Sequence, residues 1–451
     1  LAAVKAPGNA AQTARADVLW TENLNGYDGG PLSDERFDYS EPISGDTTKT
    51  FDETFTCPTD PSLYEGDGIH EFTVTNTAIL NGNINKEASA EVTVTCYAPV
   101  VDKTADATHT RTWNWTIDKV AGQSELMLDP YTTATVNYSV TVNATYTDVW
   151  EVSGDITVVN PAPMEMVVTL TDVLDDDTPV TITCDQSLDG DQLTIPANTT
   201  ATCSYIAYPD DSSATLNTAT ATLNAIDFVA TADVVFENVE IDECIDVSDT
   251  NVGFLGTACA NEELPKTFTY SLVFGLKWEH PDVDVLLECG PNKHFNTASF
   301  VTNDTGATGS DDWTVDITID CGCALTRGYW QTHSEFGPAP YDDTWAMLPN
   351  GASTPFFLSG QTYYQVMQTS PRGNAYYILA PQYIAAKLNI LNGAYAPPDV
   401  EAAMARAEKL FNQYTPAQVA KLKGADLNEF KMLGDLLDRY NNGYYGPLHC
   451  D

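Results

Sequence analysis

Three stretches of this chain repeat one another: Phe72-Thr-Val-Thr-Asn-Thr-Ala-Ile-Leu-Asn81, Ala214-Thr-Leu-Asn-Thr-Ala-Thr-Ala-Thr-Leu-Asn224 and His294-Phe-Asn-Thr-Ala-Ser-Phe-Val-Thr-Asn303. Each centres on Asn-Thr-Ala and leads into an alternating segment, at 90–96, 232–237 and 313–321. A related run lies upstream of each, at 48–57, 198–205 and 265–274. A β-unit written three times predicts a built array of similar modules rather than one catalytic core.

The length of 451 residues fits that reading, because domains of about 100–200 residues allow three or four. Up to about residue 321 the strand signals are clear. Val136, Tyr138, Val140 and Val142 alternate with Asn137, Ser139 and Thr141, and Val315, Ile317, Ile319 and Cys321 alternate with Asp316, Thr318 and Asp320. A period of two in Val, Ile and Thr marks strands with one buried and one wet face. Turn residues separate them at Asp129-Pro130, Asn160-Pro161, Asp189-Gly190-Asp191 and Pro209-Asp210-Asp211. The predicted fold is mainly β: tandem Ig-like β-sandwich domains followed by a small α-helical C-terminal domain. The expected boundaries are 1–100, 101–240, 241–322 and 323–451.

The middle unit is the fullest. Its order is Val152-Ser-Gly-Asp-Ile-Thr-Val-Val-Asn-Pro161, then Val168-Thr-Leu-Thr-Asp172, then Thr202-Cys-Ser-Tyr205, then Leu216-Asn-Thr-Ala219. This order resembles the Ig-like conserved repeats of secreted prokaryotic surface proteins, well over 101–321 and more loosely over 17–100. The resemblance implies stalks, envelope components or adhesive modules without catalytic residues. The first and third units start part-way through the pattern, near Asp17 and Ile245, with no segment of their own matching 113–161. A sandwich lacking strands leaves an open edge. Strand donation from a neighbouring subunit is one expectation, with Leu1 to Ala16 as the donor; smaller, self-sufficient sandwiches are the other.

After Cys323 the period changes. Thr415-Pro416 followed by 417–423 and Gly424 predicts a capped helix. Val400, Met404, Ala407 and Phe411 share a helical face, as do Phe430, Leu433, Leu437 and Tyr440. A further helix is expected from Asn374 towards Asn392, disturbed at Pro381. Thr326-Arg-Gly-Tyr-Trp-Gln-Thr-His333 and Gly446-Pro-Leu-His-Cys450 resemble a helical module that closes other secreted prokaryotic repeat proteins, which implies location more than activity.

The ten cysteines read as disulfides in an extracellular chain. Parity with neighbouring apolar residues puts Cys57, Cys96 and Cys184 on inward faces, and the expected cross-sandwich pairs are Cys57–Cys96 and Cys184–Cys203. Cys323 and Cys450 bracket the helical region and are placed to staple it. Connectivity among Cys244, Cys259, Cys289, Cys321, Cys323 and Cys450 stays open. A metal at Cys321-Gly-Cys323 with His333 and His449 is a weaker alternative, since the spacing matches no standard zinc pattern.

Charge bears on partners. The last 130 residues hold 11 acids and 9 bases, so 53 of the 64 acids and 11 of the 20 bases fall in the first 321. That field disfavours nucleic acid and anionic membrane, and no apolar run approaches the ~20 residues of a membrane-spanning helix. Asp175, Asp176, Asp177, Asp189, Asp191, Asp311 and Asp312 fall in expected loops, where calcium is the cofactor such oxygen-rich clusters suit; a solvated acidic surface explains them equally. Sequons at Asn114, Asn137, Asn143, Asn198 and Asn303 mark candidate glycosylation sites. No phosphate loop, nucleophile elbow or zinc-protease signature occurs.

The expected function is therefore structural and not enzymatic: an extracellular subunit of a cell-surface filament or layer, partnered by copies of itself. A calcium-dependent adhesin or carbohydrate-binding protein, with glycans or other surface proteins as partners, is the alternative. An enzyme with its site near Trp330, His333 and His449 is a third.

Overall fold

The computed structural model describes residues 30–64, 66–82 and 85–450, with the backbone of two further strands, Ala2–Val4 and Gln12–Arg15. The expected start of the first unit near Asp17, and the rest of the segment from Leu1 to Ala16, lie outside the described residues. The protein is mainly β, with Ig-like sandwiches up to Ile319 and helices from Arg327 onward.

The chain forms two compact units. One comprises Leu1–Thr112 and Tyr146–Ile241, the other Trp113–Thr145 and Asp242–Asp451. Two of the crossings between them fall inside continuous strands, Asp106–Ala121 and Thr133–Asn160. This redraws the boundaries read from sequence. Trp113–Thr145 was expected in a 101–240 sandwich, yet it groups with the sandwich that follows residue 241.

The first unit holds two sandwiches. In the first, strands order as Ala2–Val4, Lys86–Tyr97, Ile69–Leu80, Pro31–Asp34 and Tyr39–Pro42, and Ala2–Val4 runs parallel to Lys86–Tyr97. In the second, Met166–Leu174 lies between Gln192–Ile195 and Leu216–Leu223, and Leu216–Leu223 also pairs with Ile226–Asp233. The opposing sheet pairs Val152 to Asn160 with Thr199–Ala207. Val152, Ile156, Val158, Leu170, Leu193 and Ala219 are fully or almost fully buried between the sheets. Alternation does this directly: every second residue of Leu216–Leu223 faces the core.

In the second unit the sheet orders as Glu125–Leu128, Thr308–Ile319, Gly290–Thr302, Cys244–Asp249 and Gly253–Cys259. The facing sheet pairs Thr133 to Val142 with Lys266–Leu276. Val136 and Tyr138 pack with Leu272, Phe274, Val315 and Ile317, while Val140 and Val142 pack with Ile245, Val247 and Ala298. The strands missing from this sandwich in sequence are thus supplied by the same chain from more than a hundred residues upstream. Donation by a neighbour is not needed here, because Trp113–Thr145 already covers the apolar face.

All ten cysteines are bridged: Cys57–Cys96, Cys184–Cys203, Cys244–Cys259, Cys289–Cys321 and Cys323–Cys450. Cys184 and Cys203 face each other directly in one antiparallel ladder, not across the sandwich. Parity placed Cys184 correctly, since it packs against the core with Val180 and Ile182 and faces the fully buried Cys203; only the expectation that the bridge crosses between sheets fails. With both sulfurs of Cys321 and Cys323 in disulfides, the metal alternative for that pair falls.

In the helical region, helices Tyr376–Leu391, Pro398–Gln413 and Gly424–Asn441 enclose a core of Trp330, Trp345, Phe356, Phe411 and Phe430. Pro381 sits within the first of these without ending it. Thr415 caps only the four-residue helix Pro416–Val419, and Gly424 opens the next helix rather than closing this one. Asn389 joins the parts: its side chain accepts from Leu325 N (2.8 Å) and Trp330 Nε1 (2.9 Å) and donates to Leu325 O (2.9 Å) and Asn441 Oδ1 (3.0 Å).

Candidate functional site

The least ordinary chemistry lies inside the sandwiches. Alternation places Asn217 in line with Ala219 and Ala221 on the core face, where an amide is out of place. The neighbouring strand sets Asp172 opposite Ala219, so its carboxyl shares that face with Asn217. Lys103, from the strand Val100–Lys103, completes the group. Its ammonium lies 2.8 Å from Asp172 Oδ1 and donates to Oδ2 at 2.9 Å, and both side chains are fully enclosed. Asn217 Nδ2 donates to the same Oδ2 at 3.2 Å, while Asn217 Oδ1 has no partner among the described residues. The Lys103 ammonium sits 3.3 Å from the centroid of the Tyr205 ring. Tyr205 in turn donates to Thr104 O at 2.6 Å. Gly154, opposite Tyr205 in the ladder, makes room for that bond: a Cβ there would stand 2.4 Å from Thr104 O and 2.9 Å from the Tyr205 hydroxyl.

The second unit repeats the arrangement. Asp249 lies opposite Ala298, two residues from Asn296. Lys119, from the strand Asp106–Ala121, donates to Asp249, again with both side chains fully enclosed. Tyr270 links the members. Its hydroxyl donates to Asp249 Oδ2 (2.6 Å) and accepts from Lys119 Nζ (2.7 Å) and Asn296 Nδ2 (2.8 Å). Tyr138 stacks on Tyr270 with ring centroids 5.2 Å apart. In the first sandwich Asp34 stands opposite Ala78, and Asn76 Nδ2 donates to Asp34 Oδ2 at 2.7 Å. The same register therefore occurs three times.

Burial governs the charges. It pushes the Lys103 and Lys119 ammoniums below the usual lysine range and raises the Asp172 carboxyl, against the pull of its hydrogen bonds. Burial also acts to raise Asp249, but hydrogen bonds from Lys119, Tyr270 and the Asn251 N–H outweigh it and hold that carboxyl low. Burial pushes the Tyr205 hydroxyl up to about 12. Taking two ions out of water costs several kcal/mol each, and an apolar pair of equal volume is often as stable. Two enclosed ion pairs are therefore weak stabilisers, and their presence calls for another reason.

The residues singled out in sequence are dispersed. Asp175 accepts from Thr215 N (2.8 Å) and Oγ1 (2.5 Å), and Asp176 accepts from Thr178 N (2.9 Å). Asp311 accepts from Lys119 N at 2.7 Å. Asp177, Asp189, Asp191 and Asp312 add no convergent set, and no three acidic, histidine or cysteine side chains among the described residues are placed to hold a metal. The sequon residues Asn114, Asn137, Asn143, Asn198 and Asn303 are all exposed. Trp330 is fully buried, His333 Nδ1 is 2.9 Å from Tyr329 O, and His449 is exposed on a two-residue strand. They form no shared site. Sequence reading missed Lys103, Lys119, Asp172, Asp249, Asn217 and Asn296. The available signal was an Asp-Lys pair inside each of two strand patterns of a lysine-poor chain.

No family model and no curated protein matches the sequence. The resemblance to Ig-like conserved repeats thus rests on the residues quoted above. Similar solved structures include the major pilin subunit BcpA of Bacillus cereus, 12% identical over 68% of this chain and 96% of that one, with a TM-score of 0.15. PcdhgB3 EC1-4 is 10% identical over 69% of this chain and 67% of that one, with a TM-score of 0.19. The N-terminal eight Ig domains of Down Syndrome Cell Adhesion Molecule are 8% identical over 70% and 53%, with a TM-score of 0.12. Scores this low carry no functional argument. Among the described residues no helix is long and apolar enough to cross a membrane.

Proposed function

We propose that this chain is a structural subunit of the cell exterior, copies of which assemble into a filament or surface layer. The observation that carries the reading is the pairing of every cysteine in a series of Ig-like sandwiches. Disulfides persist in oxidising surroundings and limit how far each module can open under load. The exposed sequon asparagines suit an exported chain. No catalytic set is proposed for the helical region, where His333 stacks on Tyr329 and His449 is exposed.

The proposal extends to assembly. The strand Ala2–Val4 lies on the edge of Lys86–Tyr97 in parallel register, Ala2 opposite Thr93 and Val4 opposite Thr95. An edge that accepts a short terminal strand from its own chain can accept the same strand from a neighbour. Negative-stain microscopy and size-exclusion chromatography of native material test this. Fibres or sheets are expected, and deletion of residues 1–16 should reduce them to folded monomer. A monomer under all native conditions would overturn the assembly reading.

A further inference from the structure

We propose that Lys103 and Asn217 in one sandwich, and Lys119 and Asn296 in another, are joined by intramolecular amide bonds formed by the protein itself, with Asp172 and Asp249 as the proton-transferring groups. Nothing in the inference depends on filament assembly.

Three observations carry it. First, nucleophile and electrophile are gathered on one oxygen in each site. Lys103 Nζ and Asn217 Nδ2 lie 2.9 and 3.2 Å from Asp172 Oδ2, and Lys119 Nζ and Asn296 Nδ2 lie 2.7 and 2.8 Å from the Tyr270 hydroxyl. This is the proximity that turns a slow bimolecular aminolysis into an intramolecular one. Second, the sites are dry: Lys119, Asn217 and Asn296 are at most 1% exposed. Water, the competing nucleophile, is kept from the amide carbon. Third, the carbonyl oxygen of Asn217 is buried without a partner, open to a proton from the adjacent carboxyl. In the first site burial lowers the lysine and raises the acid, which favours the neutral amine that must attack; in the second burial lowers the lysine, while hydrogen bonds hold Asp249 low.

The step balances without an outside reagent. The neutral lysine amine attacks the asparagine Cγ, forming the Nζ–Cγ bond while the carboxylic acid protonates Oδ1. The carboxylate then takes a proton from Nζ and delivers it to Nδ2. The Cγ–Nδ2 bond breaks, ammonia leaves, and the Oδ1 proton returns to the carboxylate as the carbonyl re-forms. Nothing is oxidised or reduced. The product replaces an enclosed ammonium with a neutral amide, which removes the unfavourable charge burial. It also ties the strand carrying each lysine to a distant strand of the same sandwich.

Asp34 and Asn76 repeat the acid and amide in the first sandwich. Lys5 lies outside the described residues, and no bond is assigned there.

Intact-mass spectrometry of the natively folded, reduced and alkylated full chain tests the proposal. Each bond should lower the mass by one ammonia, about 17 Da. Proteolysis should yield branched peptides linking Lys103 to Asn217 and Lys119 to Asn296. Asn217→Ala and Asn296→Ala should each abolish one branched peptide, and Asp172→Ala and Asp249→Ala should do the same with the asparagine intact. If a variant fails to fold, the branched peptides of the unaltered chain still decide the matter. Linear peptides covering all four residues in the folded protein would overturn the proposal, and a branch at one site alone would overturn it for the other.

Discussion

Asp249 stands directly across the ladder from Ala298, which brings its carboxyl onto the core face that carries Asn296. Asp172 bears the same relation to Ala219 and Asn217, and Asp34 to Ala78 and Asn76. The Asn-Thr-Ala repeat is therefore the written form of a buried acid–amide register.

Removing one member of an enclosed ion pair strands the other. In an Asn296→Ala background, where no amide can form and Lys119 keeps its charge, Lys119→Met should destabilise the second unit by about 3–5 kcal/mol, because Asp249 is left buried without its cation. Adding Asp249→Leu in that background should recover much of that loss. Guanidinium unfolding monitored by tryptophan fluorescence measures both, and a midpoint unchanged by Lys119→Met would contradict the account.

The bridge Cys323–Cys450 encloses a loop with a sequence separation of 127 residues around the helical region. Cys323→Ser with Cys450→Ser should cost that region about 2–4 kcal/mol. In calorimetry the helical transition should move down while the sandwich transitions hold their temperature.

Asp148 is held down to about 2, chiefly by hydrogen bonds from Arg111 at 2.7 and 2.8 Å, with His109 Nε2 3.1 Å away. A carboxyl depressed in the folded state contributes fully above its unfolded value and loses that contribution as the pH falls towards the folded one. The window runs from the ordinary 3.8 down to about 2. Asp148→Asn should flatten the acid limb of the stability curve there, and an NMR titration placing Asp148 at its ordinary value would remove the basis for this.

Chelation provides a fourth check. Asp175, Asp176 and Asp311 already accept backbone N–H groups. Excess EDTA should leave the melting temperature of the sandwiches where it was. A fall that added calcium reverses would show that the acidic loops hold the ion after all.

Much of the architecture was legible in the sequence because β periodicity writes burial directly. The alternation of Val136, Tyr138, Val140 and Val142 survives as four core positions. Pairing was less legible. Nothing local in Trp113–Thr145 says that its partners begin at residue 242, since alternation reports which face is buried and not against what. The same limit let Cys184 be read as a cross-sheet sulfur when it pairs within one ladder. Asn217 and Asn296 were visible as a repeat but not as chemistry, because their meaning depends on lysines 114 and 177 positions away. Gly424 was read as a stop because glycine commonly follows a helix end; its left-handed φ of +63° instead stands at the residue that opens the next helix.

The borrowing of Trp113–Thr145 has a consequence for synthesis. These strands emerge from the ribosome well before Lys266–Leu276, their ladder partner. At about 5–20 residues per second, a nascent chain would carry Val136, Tyr138 and Val140 uncovered for roughly ten seconds. The second unit therefore cannot close as its first strands emerge; it waits for those that follow Asp242. Those side chains need shielding until the later strands arrive.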